Sequence, residues 1–202
     1  MIPKTIENLI LVDFHDYNAN LKNYDDAFNY TIKHLMPKAK KIHILYNGIE
    51  FTYFDENENA DYRYTPASYL DLLKHFKEYG VHSLTKMPRV IVENAITPLT
   101  KNIFIYPKTF NYSKPWKLAG ASDADVVNGL VKIIEDELDS LEYEEQSLYF
   151  PEWFFDIDDN IGEDEECVIV GGPKDNAVKE IAYLFKAVNI PYSLHKNGIF
   201  NG

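Results

Sequence analysis

The most constraining feature of this sequence is a series of short apolar runs separated by stretches with helical periodicity. The run Leu9–Val12 has no polar alternation, which is typical of a strand buried on both faces of a parallel sheet. Strands that alternate with helices predict a single doubly wound, mostly parallel α/β sheet with helices on both faces. The predicted strands are residues 8–14, 41–46, 90–92, 102–106, 167–170 and 191–194, and the predicted helices are residues 25–36, 68–79, 121–141 and a segment after residue 175.

Size and composition favour one domain. The chain has 202 residues, of which 46% are apolar and 14% aromatic, and these proportions suit one full-sized core. We therefore expect a single α/β domain over residues 1–202. Within it we expect a polar, aromatic loop at residues 49–66 and an acidic insertion at about residues 142–165.

Charge is distributed unevenly along the chain. The formal net charge is −12, and residues 122–166 contain seventeen acidic residues but one lysine. Such a region repels duplex DNA and anionic membranes, so neither nucleic acid nor a membrane is the favoured partner. The region predicts a solvated acidic surface, or else a contact with a basic protein partner or a DNA-mimicking role.

Cysteine usage and the N-terminus indicate a cytoplasmic protein. Cys167 is the single cysteine, so neither an internal disulfide nor a cysteine-based metal site is expected. No basic segment followed by an apolar one begins the chain, and no stretch approaches the roughly 20 apolar residues of a spanning helix. Seventeen Asn and fifteen Tyr are typical of an AT-rich coding genome and suggest a viral origin, and a homo-oligomer is compatible with the sequence.

Three charged residues, Asp13, Lys108 and Asp175, lie at or just beyond the ends of predicted strands. Ligands of doubly wound sheets bind at the carboxyl ends of strands, so we expect these residues to converge. Desolvating a carboxylate at the end of a central strand costs free energy unless a partner or a function retains it, which singles out Asp13. An aspartate and a lysine beside a helix N-terminus suit nucleophilic catalysis, because they activate the nucleophile while the amides hold an oxyanion.

Two segments resemble the isochorismatase and nicotinamidase family of cysteine hydrolases. Leu9-Ile-Leu-Val-Asp-Phe-His-Asp-Tyr17 is similar to the family's apolar strand ending in Val-Asp. Gly171-Gly-Pro-Lys-Asp-Asn-Ala-Val178 matches the family block of Gly, three residues, Asp, one residue, Cys and Val, except at the cysteine. The resemblance implies an isochorismatase-like, Rossmann-like three-layer fold. It also implies a catalytic Asp13 and Lys108, with Ala177 in the place of the nucleophile.

The resemblance further implies a small amide or a similar molecule as ligand, without a cofactor. No metal is implied, because the Asp-Trp-His…His pattern of nicotinamidases is missing. The family's cis peptide would fall at Gly172–Pro173, and an X-Pro bond is where a cis peptide costs least. Because Ala177 offers no thiol, we expect a protein that is inactive or only binds its ligand. The residues that the resemblance assigns to substrate binding are His15, Phe110, Tyr112, Gly172, Pro173 and Asn176.

Two other classes of function are compatible with the sequence. In a Mg²⁺-dependent nuclease of the PIN or NYN type, Asp13, Asp123 or Asp125, and Asp175 would hold the metal. We rank this below the hydrolase-like interpretation and expect no dependence on Mg²⁺ or Mn²⁺. In a non-catalytic acidic interaction protein the same residues are structural: Asp175 caps a helix, Lys108 pairs with a surface acid, and Gly171-Gly172 forms a tight turn.

Overall fold

The computed structural model of the chain describes residues 4–15, 18–47, 50–54, 60–64, 74, 78, 103–108, 114–137, 157 and 160–201. At residues 47, 50–54, 60–64, 103, 105, 107, 108, 114, 115, 136 and 137 it describes the backbone alone.

The described part of the chain contains seven strands and four α-helices. The strands are β1 (Ile6–Val12), β2 (Ala39–Asn47), β3 (Glu50–Phe54), β4 (Ala60–Tyr64), β5 (Ile103–Lys108), β6 (Cys167–Gly171) and β7 (Tyr192–Ile199). The helices are α1 (Tyr24–Tyr30), α2 (Lys114–Leu118), α3 (Asp123–Lys132) and α4 (Lys179–Ala187). The π-helical turns Thr31–Leu35 and Ile133–Glu137 continue α1 and α3, the turn Met36–Lys38 leads into β2, and the π-helical turn Lys174–Val178 leads into α4.

Helix α3 begins at a capping box. The Asp125 amide donates to Ser122 Oγ at 3.2 Å, and the Ser122 amide donates to Asp125 Oδ2 at 2.9 Å. These reciprocal bonds satisfy amides that have no partner inside the helix. The chain then buries Val126, Val127 and Leu130, whose spacing places them on one side of the helix.

Five strands form one parallel sheet in the order β5-β2-β1-β6-β7, and β3 pairs with β4 in a separate antiparallel hairpin. In the sheet, Leu9 of β1 lies opposite Ile42 of β2 and Val168 of β6. The chain adds β2 and β5 on one side of β1, and then β6 and β7 on the other. A topological switch point therefore lies between β1 and β6.

Alternate side chains of the sheet enter two cores. Ile10 of β1 belongs to a buried cluster that contains Val126 of α3 and Ile181 of α4. Leu11, the next residue, belongs to a second cluster that contains Phe28 of α1. Helices thus cover both faces of the sheet, and the α/β architecture predicted from the sequence is confirmed.

Two predictions of local structure are wrong. Residues 49–66 do not form only a loop, because Glu50–Phe54 and Ala60–Tyr64 pair as a hairpin. Their Phe, Tyr and Thr residues have high strand propensity, which outweighs the polar residues among them. Asp175 does not cap the helix: the N-cap position is Pro173, without a side-chain cap bond, and Asp175 lies in the first turn.

Two other strands extend further than predicted. The strand expected at residues 102–106 continues to Lys108, and the last strand continues to Ile199. Of the helix predicted at residues 68–79, only Lys74 and Glu78 are described, and both are helical. The strand predicted at residues 90–92 and most of the acidic insertion lie outside the described residues. Within the described part, every helix is too short or too polar to cross a lipid bilayer.

Candidate functional site

Asp13 lies at the carboxyl end of β1, next to the switch point. Its side chain is buried, with the residue 5% exposed. The backbone turns sharply here, with φ 51° at Asp13, a conformation that Asp and Asn tolerate better than most residues. The Asp13 amide donates to Leu45 O at 2.8 Å, and the Asp13 carbonyl accepts from the His15 amide at 2.9 Å and from Asn18 Nδ2 at 2.8 Å. These bonds fix the backbone of Asp13 at the carboxyl edge of the sheet.

The adjacent strand end, at Gly171 and Gly172, requires glycine for reasons of space. Gly171 lies opposite Val12 with φ 108°, and a Cβ at this position would lie 2.0 Å from Val12 O. A Cβ at Gly172 would lie 2.6 Å from Phe200 O, and the Gly172 amide donates to Val12 O at 3.0 Å. Residues 171 and 172 therefore lie directly beside the end of β1. The Gly172–Pro173 peptide is cis, as expected from the sequence.

Ala177 lies in the π-helical turn that follows this corner. Its methyl group is 3% exposed and belongs to the core cluster on the face covered by α3 and α4. Asp175 and Asn176, in the same turn, are exposed. The turn therefore directs residue 177 inward, while its two preceding side chains face solvent.

The structure brings Lys108 to the same edge but not to the neighbouring strand. Lys108 is the last residue of β5 and lies opposite Asn47 of β2. Because β2 separates β5 from β1, the backbones of Lys108 and β1 are two strand spacings apart, about 10 Å. His15, which follows Asp13 by two residues in the chain, is also buried. The Lys108 side chain, Phe110 and Tyr112 lie outside the description, so their predicted roles stay predictions.

The carboxylates that a metal-dependent nuclease would need lie in surroundings that differ from one another. Asp125 belongs to the capping box of α3, and the hydrogen bond that the Ser122 hydroxyl donates to its carboxylate is the main reason that its pKa is lowered. Asp175 is exposed. Among the described residues, no group of three or more His, Cys, Asp or Glu side chains is placed to hold a metal ion. Asp13, Asp125 and Asp175 are all among the described residues, so the nuclease alternative gains no support.

A partly buried polar network near the amino edge of the sheet was not anticipated. We call Asn8, Lys41, His43, Tyr106 and Glu165 the amino-edge network. His43 is buried in β2, with Nδ1 3.1 Å from the Tyr106 hydroxyl and Nε2 3.1 Å from Asn8 Oδ1. Burial is the main reason that the pKa of His43 is lowered to about 3, and the charge of Lys41 adds to it. The ring is therefore neutral at ordinary pH.

The same network binds the segment that ends the acidic insertion. Glu165 Oε2 accepts from Lys41 Nζ at 2.8 Å, from Asn8 Nδ2 at 3.0 Å and from the Gly162 amide at 3.0 Å. These bonds, led by that of Lys41, lower the pKa of Glu165 to about 2. The sequence signal was the polar residues Asn8 and His43 inside otherwise apolar strands, since buried polar groups need partners.

A second unanticipated group lies where α2, α3 and α4 meet. We call Lys117, Asp123, Lys179 and Tyr183 the Asp123 cluster. Both lysines and the Tyr183 hydroxyl donate to the carboxylate of Asp123. From the sequence, Asp123 was predicted only as a metal ligand, because the two lysines and the tyrosine lie six to 60 residues away along the chain.

No family model, no curated protein and no solved structure matches the chain.

Proposed function

We propose that the chain has an isochorismatase-like hydrolase fold that binds a small amide or a similar molecule at the carboxyl edge without hydrolysing it. The observation that carries this proposal is the position of Asp13. Its carboxylate is buried at the end of a central strand, beside the switch point where ligands of doubly wound sheets bind. A carboxylate in this position can accept hydrogen bonds from an amide or amine group of a ligand.

Backbone geometry supports a binding role for this corner. Asp13 has a positive φ, and such residues are uncommon outside glycine and concentrate at functional sites. Gly171, opposite Val12, allows β6 to reach β1 without an intervening side chain. The corner then continues into the turn Lys174–Val178, at the start of the α4 segment. A ligand at the switch point would meet both strand ends and the beginning of this turn.

Ala177 accounts for the absence of catalysis in this proposal. Its methyl group cannot attack a carbonyl carbon, and Cys167 cannot replace it. Cys167 is buried at the opposite end of β6, and burial is the main reason that its pKa is raised to about 12. The thiolate, which is the nucleophilic form, is therefore negligible at neutral pH.

Restoring a cysteine tests the proposal. In an Ala177→Cys, Cys167→Ser variant, we expect a thiol pKa below the ordinary value of about 8.5, lowered by Lys108 and the helix start. Because residue 177 is 3% exposed, the ultraviolet absorbance of the thiolate should be followed against pH instead of alkylation, which requires entry of a reagent. Adding Lys108→Met should raise the pKa again.

The control is Ala182→Cys in the same Cys167→Ser background. Residue 182 is also buried, but it lies in the middle of α4, so burial should raise its thiol pKa above the ordinary value. A thiol pKa at position 177 that matches this control, or equals that of a free cysteine, would show that residue 177 is an ordinary core position. The isochorismatase-like proposal would then be withdrawn.

A further inference from the structure

The Asp123 cluster presents three hydrogen-bond donors to one carboxylate. Lys117 Nζ of α2 donates to Asp123 Oδ1, which also accepts from the Tyr183 hydroxyl of α4 at 2.8 Å. Lys179 Nζ, also of α4, lies 2.7 Å from Asp123 Oδ2. Both oxygens of the carboxylate are therefore bound by donors from two neighbouring helices.

The charges in the cluster do not balance. Within the cluster two ammonium groups face a single carboxylate, and the charge of Lys117 also acts on the neighbouring Asp125 carboxylate, in a chain whose formal net charge is −12. Hydrogen bonds to Asp123 raise the pKa of both Lys117 and Lys179, and hydrogen bonds led by that of Lys117 hold the pKa of Asp123 well below its usual range. All three groups therefore carry their charges at neutral pH.

Packing holds the two ammonium groups near each other. The Nζ atoms of Lys117 and Lys179 lie 5.4 and 5.8 Å from the centroid of the Tyr183 ring, within the range of cation–π attraction. Tyr183 itself is buried and belongs to the core cluster that contains residues of α3 and α4. A rigid aromatic ring thus fixes the region in which both cations lie.

The carboxylate that these donors bind is open to solvent. The side chain of Asp123 is 55% exposed, whereas those of Lys117 and Lys179 are 32% and 36% exposed. Ion pairs this exposed contribute little free energy, because water solvates the separated charges well. Asp123 can therefore leave the lysines for solvent at small cost, while the cations stay partly enclosed.

We propose that Lys117, Lys179 and Tyr183 form a phosphate-binding site that the Asp123 carboxylate occupies when no ligand is bound. A phosphate dianion neutralises both ammonium groups, whereas Asp123 neutralises one. The additional oxygens of the phosphate can also accept hydrogen bonds from both lysines and from the Tyr183 hydroxyl at the same time. Because Asp123 is tethered beside the donors, it competes with the ligand and raises the phosphate concentration needed for binding.

Titration with inorganic phosphate at constant ionic strength tests this site, with binding followed by calorimetry. Asp123→Asn removes the competing charge, so we expect the affinity for phosphate to rise roughly three- to tenfold. The double variant Lys117→Gln, Lys179→Gln should lose binding. The matched control is Glu7→Gln, which removes an exposed carboxylate from the Lys40–Glu7 pair and should leave phosphate affinity unchanged.

Circular dichroism should first establish that each variant is folded. Equal phosphate affinity in the wild type, in Asp123→Asn and in the double lysine variant would overturn the proposal, as would an equal gain in Glu7→Gln. Glycerol phosphate distinguishes two sources of the ligand: a site for phosphate-bearing molecules accepts the ester, and a site for free phosphate excludes it. In either case the proposal requires that the double lysine variant lose the binding observed.

Discussion

At the residue scale, His43 shows how a polar side chain is accommodated in an apolar strand. Both ring nitrogens have hydrogen-bonding partners, in Tyr106 and Asn8, which offsets the desolvation of the neutral ring. Phe104 stacks on the same ring at a centroid distance of 5.1 Å. A protonated ring would carry a charge into this enclosed site near Lys41, so the folded chain resists protonation of His43.

This burial predicts a dependence of stability on pH. The folded-state pKa of His43 is lowered from 6.5 to about 3, so between these values the unfolded chain binds a proton that the folded chain does not. The stability that the neutral His43 ring allows is fully present above pH 6.5 and is lost as the pH falls towards 3, at a cost of several kcal/mol.

Urea unfolding of His43→Gln over this pH interval should therefore give a smaller loss of unfolding free energy than the wild type gives. His34→Gln, a change at an exposed histidine of the turn after α1, controls for the removal of a histidine as such. A pH dependence that is the same in wild type and His43→Gln would contradict the assignment of the proton to His43.

At the scale of elements, the contact between β1 and β6 sets the shape of the candidate site. Gly171 ends β6 directly opposite Val12, and its backbone has the left-handed φ of 108°. Both the close approach and the backbone conformation exclude a side chain. The candidate site thus depends on Gly171, which leaves room for the close approach of β6 to β1, and on Asp13, which supplies the carboxylate.

Gly171→Ala should destabilise the protein by about 3 kcal/mol or more, because the new methyl group collides with strand backbone that cannot move aside alone. Gly120→Ala separates the cost of the positive φ from the cost of the steric collision. Gly120 also has a positive φ, of 84°, but among the described residues no atom lies within 4 Å of the new Cβ, so this substitution should cost only about 1 kcal/mol. Urea unfolding measures both, and equal losses would show that the collision is relieved by strand movement.

At the scale of the whole molecule, the two edges of the sheet have different chemistry. The carboxyl edge carries Asp13 and the Gly171–Pro173 corner, whereas the amino-edge network binds Glu165, near the end of the acidic insertion. The point at which the acidic insertion returns to the sheet therefore lies at the edge opposite the candidate site.

Glu165→Gln should loosen this attachment. The lowered pKa of Glu165 means that its stabilisation is present above pH 4.5 and lost as the pH falls towards 2, so the carboxylate contributes fully at neutral pH. Loss of its charge-assisted bonds should speed amide hydrogen exchange in residues 160–166 by roughly five- to thirtyfold. Glu166→Gln, at an exposed neighbour, should leave exchange unchanged, and equal exchange in both variants would contradict the role of Glu165.

Hydrophobic pattern alone was sufficient to predict the central strands, the covering helices and the edge at which Asp13 lies. These features follow from local sequence, because an unalternating apolar run is stable only between two layers, and chain direction places each strand end. The cis peptide at Gly172–Pro173 was also predicted, from the resemblance of its segment. The same local information misassigned the hairpin of β3 and β4, since pairing depends on a partner strand as well as on composition.

Contacts between distant parts of the chain required the folded structure. Asn8 and Glu165 are 157 residues apart, and Asp123 and Tyr183 are 60 residues apart, so no local pattern brings either pair together. The burial of Ala177 could not be predicted from the sequence either, because a position in a first helical turn faces either the core or solvent depending on how the helix packs. Tertiary packing decided which polar side chains meet, since loop closure over such distances is driven by the burial of the whole core.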